Sequence, residues 1–352
     1  MKILHALYSD RKGGLERAFS NVTKAMLELG HQVELLTPRH APYLNELQYP
    51  LPCHDFKSAG YYSLNSWLRY HLLLRRIKPD LIVTHNSRAA YTMGRASSGL
   101  KIPHLAFSHG YKTRRFRSAN QLVVLTEDMK QHFLACGYLA EQIHIFPNVI
   151  EQIPDLAPYS VKPSFKPIRL GFIGRLNEEK GLQDLLHAIA LLNDSCSLEL
   201  HVAGSGPDQQ AIERLAGQLG ILQRIHFSGW VENIASWMES IDLIVVPSRS
   251  ESFGIVVLEA AAYGCPVIST SVAGPASQIT HGVDGWLVEP GSPANLAEVV
   301  QQVVAAPESW VSVREAAYQR AQSYLMESRL DQLATILAQV VRPPSDLDDS
   351  LT

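Results

Sequence analysis

The stretch DLIVVPSRSESFGIVVLEAAAYGCPVIST, residues 242–270, decides the fold. Its opening is a near-continuous apolar run, Leu243-Ile244-Val245-Val246, the pattern of a strand covered on both faces. A polar loop follows, then a helical segment beginning near Phe253, then a second β-branched run at 266–270. Two strands joined through a helix run parallel, with a right-handed crossover.

The same alternation continues outward in both directions. Residues 168–174, 198–204, 224–230 and 285–290 read as strands in the second half, and 2–9, 32–38, 80–86, 103–109, 121–127 and 143–148 in the first. Amphipathic segments of helical length separate them. The chain of 352 residues has room for two domains, and five prolines within 147–167 mark the boundary by blocking helix and central strand alike. The expected class is therefore α/β, two doubly wound Rossmann-like domains whose open sheets face each other across a cleft. Residues 1–150 form the first domain and 151–326 the second, with 342–352 an acidic, proline-broken tail expected to be disordered.

Composition removes other classes. Apolar residues make up 46% and charged residues 18%, a balance that excludes wholesale disorder. No apolar run approaches the roughly 18 residues of a membrane span. The opening MKILHALYSD gives no expectation of a secretory leader. Cys53, Cys136, Cys196 and Cys265 lie far apart without a C-x-x-C, so reduced, buried thiols in a cytosolic chain are expected. The net charge of −3 conceals an asymmetry: residues 1–150 carry 19 Lys+Arg against 10 Asp+Glu, and the remainder is acidic. A basic half suits an anionic partner such as a membrane surface, although chance composition would also produce it.

In open α/β sheets ligands bind beyond the carboxyl ends of strands, and the polar motifs fall there. Gly13 and Gly14 occupy the loop between the first strand and the first helix, where backbone can approach phosphate at a helix N-terminus. The G-x-G-x-x-G dinucleotide fingerprint is absent from that loop. Arg175 and Lys180 flank the loop GRLNEEKG after strand 168–174, a cationic start for a helix whose dipole prefers anions. Binding of a diphosphate explains them. Pairing of these cations with Glu178 or Glu179 is the alternative.

In 248–260, Glu251 and Glu259 stand eight residues apart around Ser252, Phe253, Gly254 and Ile255. Carboxylates accept hydrogen bonds from vicinal diols, and Gly254 lets main-chain N–H groups come close to a ligand. Val231, in SGWVEN, is placed to bring backbone against a nucleotide base. His109 ends its strand ahead of Gly110, and Lys112, Arg114, Arg115 and Arg117 follow in a basic, aromatic loop suited to an anionic acceptor or a lipid headgroup, or simply to solvent. The helix at 64–78 could lie on a membrane or pack on the core. The sole D-x-D, Asp346-x-Asp348, sits in the tail, so no catalytic metal is expected.

The glycine pair after the first strand, G-R-L-x(3)-K-G after the linker and E-S-F-G-x-x-x-L-E-A near residue 250 together resemble the retaining glycosyltransferases of family 4, which have the GT-B fold. The resemblance implies a nucleotide-diphospho-sugar substrate, UDP-linked, and no cofactor. Arg175 and Lys180 would bind the diphosphate, Glu259 the ribose, and Glu251 with Phe253 and Gly254 the sugar. Gly14 would approach the phosphates, and His109 would sit beside the sugar and the attacking hydroxyl. The last helix, about 327–341, would return to the first domain. The chain departs from the family at Asn148-Val149, where Asn-Gly is usual. The implied reaction is metal-independent, same-face attack by a glycan or lipid-linked acceptor, the departing phosphate taking the acceptor's proton. The expected setting is lipopolysaccharide or other bacterial surface-glycan synthesis, at the inner face of the membrane, with no nucleic-acid partner. A non-hydrolysing nucleotide-sugar epimerase shares the architecture and would turn over donor alone; a non-catalytic nucleotide- or glycan-binding module would bind without turnover.

Overall fold

The computed structural model describes residues 1–47, 50–57, 60–155, 167–192 and 197–341. The acidic tail with its D-x-D, part of the proline-rich linker and Cys196 lie outside the described residues. The chain divides into two compact units, Met1–Glu151 with Met326–Thr352, and Gln152–Leu325.

The first unit alternates β1 (Lys2–Leu7), α1 (Gly14–Glu28), β2 (Gln32–Thr37), β3 (Cys53–Asp55), α2 (Leu64–Ile77), β4 (Leu81–His85), α3 (Asn86–Ala96), β5 (His104–Phe107), β6 (Gln121–Val124), α4 (Glu127–Ala135) and β7 (Ile143–Ile145). Its seven strands lie in the order β3-β2-β1-β4-β5-β6-β7, all parallel. The second unit runs β8 (Ile168–Ile173), α5 (Leu182–Leu192), β9 (Leu198–Ala203), α6 (Gln209–Gln218), β10 (Ile225–Gly229), α7 (Ile234–Glu239), β11 (Leu243–Val246), α8 (Ile255–Ala262), β12 (Val267–Thr270), α9 (Ala273–Ala276), β13 (Trp286–Val288), α10 (Pro293–Ala305) and α11 (Ser309–Gln322). Its strand order is β10-β9-β8-β11-β12-β13, again parallel throughout. Each sheet reverses direction of winding next to its first strand, so the loops after β1 and β4, and after β8 and β11, flank a topological switch point.

The final helix, α12 (Leu330–Val341), belongs to the first unit. Leu333, Ile336, Leu337 and Val340 recur at helical spacing and are buried among Phe146, Val149 and the β1–β4 core. The Met326 N–H donates to Ile150 O at 2.9 Å, and Gln332 Nε2 to Ile145 O at 2.9 Å.

Several local expectations need correction. The edge strand β3 has no apolar alternation to announce it, because only part of its surface is covered. α8 starts at Ile255, since Gly254 takes the left-handed conformation (φ 80°) as its cap. β5 ends at Phe107, two residues before His109. Asn86, assigned to a strand, opens α3 with φ 67°. Of the described cysteines only Cys265 is buried, Cys53 being exposed and Cys136 half-buried.

Candidate functional site

In the second unit, the loops after β8, β9 and β11 pack backbone on backbone. A side chain on Gly181 would come within 1.9 Å of Pro247 O, one on Gly204 within 1.9 Å of Gly174 O, and one on Gly206 within 2.1 Å of Leu176 O. Gly181 also has φ 67°, ending the short 3-10 turn Glu178–Lys180 just before α5. Glycine at these positions draws residues far apart in sequence into one group.

Lys180 forms an ion pair with Glu251, neither partner fully exposed. The alternative pairing with Glu178 or Glu179 is not formed. Arg175 is exposed, and its side chain has no hydrogen-bond or ion-pair partner among the described residues. Glu259, on the first turns of α8, is 6% exposed among Val257, Leu258 and Ala260. Ser252 and Ile255 are half-buried, whereas Phe253 is buried against Tyr324. The first N–H groups of α8 have no acceptor within the helix and lie beside Glu251. Ser248 Oγ and Asn177 Oδ1 are buried without a hydrogen-bond partner among the described residues. Cation, carboxylates, free amides and orphaned polar atoms therefore converge at the carboxyl ends of β8 and β11, a site able to hold both a polyanion and hydroxyl groups. Val231 is half-buried against the Trp237 and Ile241 cluster beside these loops.

Sequence reasoning missed two braces. Arg249 donates through Nε and Nη2 to the two carboxylate oxygens of Asp184 at 2.9 and 2.8 Å, tying the 248–254 loop to α5. This ion pair raises the Arg249 pKa. The buried Gln278 side chain donates to Phe253 O, and the Gly274 N–H to Glu251 O at 3.1 Å. An Asp in a helix's first turn is ordinary, so nothing local signalled the first brace.

The first unit holds a histidine file. His109 is half-buried and shares a 2.9 Å hydrogen bond with His85, which is stacked on Phe107 and lies edge-on to His5. Burial lowers His109 to about 4 and His5 to about 3, and it holds His85 well below its ordinary value, with His5 and His109 adding to that shift. All three are therefore neutral near pH 7. His85 and His109 line a small pocket with Phe107, Phe146, Asn148 and Val149, at the carboxyl ends of β4 to β7. Gly13 precedes α1, and a side chain there would come within 3.2 Å of Glu16, whose carboxylate accepts from Ser9 at the helix start where Gly14 lies. The basic loop is only partly free. Arg115 lies 3.5 Å from the Tyr61 ring centroid, and Arg117 donates to Cys136 O at 2.5 Å. Lys112 and Arg114 remain exposed.

This architecture is the GT-B fold. The Anabaena Alr3699/HepE structure in complex with UDP-glucose superposes with a TM-score of 0.83 over 96% of this chain and 99% of that one, at 21% identity. The outer-core galactosyltransferase WaaB structure gives 0.78 over 96% and 99%, at 20% identity. The model of Glycosyltransferase Family 4 matches residues 12–152 and that of Glycosyl transferases group 1 residues 160–320. The chain thus belongs to the group 1, family 4 glycosyltransferases. It is 27% identical over 313 residues to the lipopolysaccharide core biosynthesis glycosyltransferase LpsE of Rhizobium meliloti, covering 87% of this chain and 89% of that protein. It is also 23% identical over 310 residues to the lipopolysaccharide 1,6-galactosyltransferase of Salmonella typhimurium, covering 80% and 83%.

Proposed function

We propose that this chain is a retaining, metal-independent transferase that moves a sugar from a UDP-linked donor to a lipopolysaccharide or related glycan acceptor. The observation that carries the donor assignment is the unpartnered Arg175 beside the Lys180–Glu251 pair and the buried Glu259. Arg175, Lys180 and the α8 amides stabilise charge that develops on the departing diphosphate. Glu259 accepts from the ribose hydroxyls. Glu251 positions the sugar and keeps Lys180 near the leaving group, with Ser252, Phe253, Gly254 and Ile255 supplying the enclosing backbone. Neutral His109 serves the acceptor step by orienting a hydroxyl, while the leaving phosphate accepts the proton. The lipopolysaccharide reading is supported by the relatives' names, and the UDP reading by the nucleotide in a neighbour of the same fold.

Contact with the inner membrane face belongs to the same proposal. Among the described residues no helix is long and apolar enough to cross a membrane. Leu64, Leu68 and Leu72 of α2 are 72%, 61% and 56% exposed at four-residue spacing, with Arg69, Arg75 and Arg76 alongside. An apolar stripe flanked by cations suits the boundary of an anionic bilayer.

A panel of UDP-, GDP- and ADP-sugars tested by calorimetry decides the donor. A UDP-sugar is expected to bind best, and Arg175→Ala and Glu259→Ala to weaken it by about tenfold or more while the fold is kept. Unchanged dissociation constants in both variants, or no sugar nucleotide binding better than its bare nucleotide, contradict the assignment. The anomeric configuration of the product, read by NMR, tests retention.

A further inference from the structure

A second cluster of ligating side chains lies within strands of the second sheet rather than in the donor loops. Glu199 and His201 alternate along β9 and so share one face of it. His226 of β10 stands directly opposite His201 in the parallel register. The two imidazoles stack with centroids 4.7 Å apart. His226 Nε2 lies 3.5 Å and His201 Nε2 3.8 Å from the same carboxylate oxygen of Glu199. All three ligand atoms fall within 4.8 Å of one another.

Those separations match metal coordination better than hydrogen bonding. Atoms about 2.1 Å from one tetrahedral ion stand about 3.4 Å apart, whereas a hydrogen bond needs about 3 Å. His201 Nε2 is buried and has no hydrogen-bond partner among the described residues. The one cation paired with this face in register, Arg169 beside Glu199, is already bound by Asp242 at 2.8 Å. α7 packs on this sheet at Gly171, in register with His201, where a side chain would strike Trp237. The side chains of Glu199, His201 and His226 are 36%, 23% and 50% exposed.

We propose that Glu199, His201 and His226 bind one zinc-class divalent cation, with water completing the shell. Two imidazole nitrogens and one carboxylate oxygen form a typical three-ligand zinc set with an open fourth position. The ion ties the edge strand β10 to β9 and acts on stability, apart from the donor loops.

The full chain, stripped with a chelator, is titrated with zinc by calorimetry and with cobalt by visible absorption. One ion per chain and a tetrahedral or five-coordinate cobalt band are expected. His226→Ala and Glu199→Gln should each weaken binding by about tenfold or more. At hundredfold excess over its dissociation constant, zinc should raise the melting temperature of the native chain by about 5 °C and that of His226→Ala by about half as much or less. UDP-sugar affinity should be the same in native and variant chains, which separates this site from the donor site. No saturable binding, or binding of equal strength in both variants through others of the 14 histidines, overturns the proposal.

Discussion

Replacing Arg249 by alanine tests the brace that holds the 248–254 loop. The guanidinium makes two charge-assisted hydrogen bonds to Asp184, at 2.9 and 2.8 Å. Asp184 is 6% exposed, so the substitution strands a desolvated carboxylate. Breaking a fully buried pair costs about 3–5 kcal/mol, and an exposed pair about 0.2–1 kcal/mol. The Arg249 side chain is 43% exposed, which places the loss between these limits, at about 2 kcal/mol. The α5 dipole offsets a little of it, because Asp184 lies in that helix's first turn. The second arm, 3.4 Å from an 81% exposed Glu178, adds little. For a unit of this size the melting temperature should fall by about 4–8 °C. Guanidinium unfolding followed by tryptophan fluorescence measures the loss. Adding Asp184→Asn removes the stranded charge, so the double variant should recover about 1 kcal/mol relative to additivity. UDP-sugar binding should weaken as well, since the loop carries Glu251. A loss below about 0.5 kcal/mol, or strict additivity in the cycle, would refute this account.

Two further outcomes follow from other parts of the chain. His5 and His104, fully buried, have folded pKa values lowered to about 3 and about 4. A histidine depressed in the folded state contributes stability above its unfolded value of about 6.5, and loses it as pH falls toward the folded value. Between pH 6.5 and 5 each can cost up to about 2 kcal/mol, so urea midpoints of the first unit should fall across that range; a flat profile contradicts buried, neutral histidines. Vesicles of anionic lipid should sediment the protein in a salt-sensitive manner, with Leu68→Gln and Arg76→Gln each weakening the effect; equal binding to neutral vesicles would argue against the α2 surface.

The site was partly legible. Arg175, Lys180, Glu251, Gly254 and Glu259 could be picked out because loops after strands in a parallel sheet are where ligands bind, and because polar residues there have little packing role. The basic loop was harder. Arg115 and Arg117 read like Lys112 and Arg114 in sequence, yet Tyr61 and the Cys136 carbonyl take up the first two. β3 has no signature in the sequence because three residues, Cys53 exposed and His54 and Asp55 half-covered, produce no periodic signal.

The parallel, doubly wound class, the division near the prolines and the buried stripe of α12 are properties of local order, since hydrophobic period and proline chemistry act over a few residues. Which charges meet was settled by tertiary structure alone. Lys180 finds Glu251 71 positions away, Arg249 finds Asp184 65 away, and His226 faces His201 only through strand register. Such partners depend on how closely backbones approach at Gly181 and Gly204 and on which strands lie side by side, and neither distance is encoded in any short stretch of the chain.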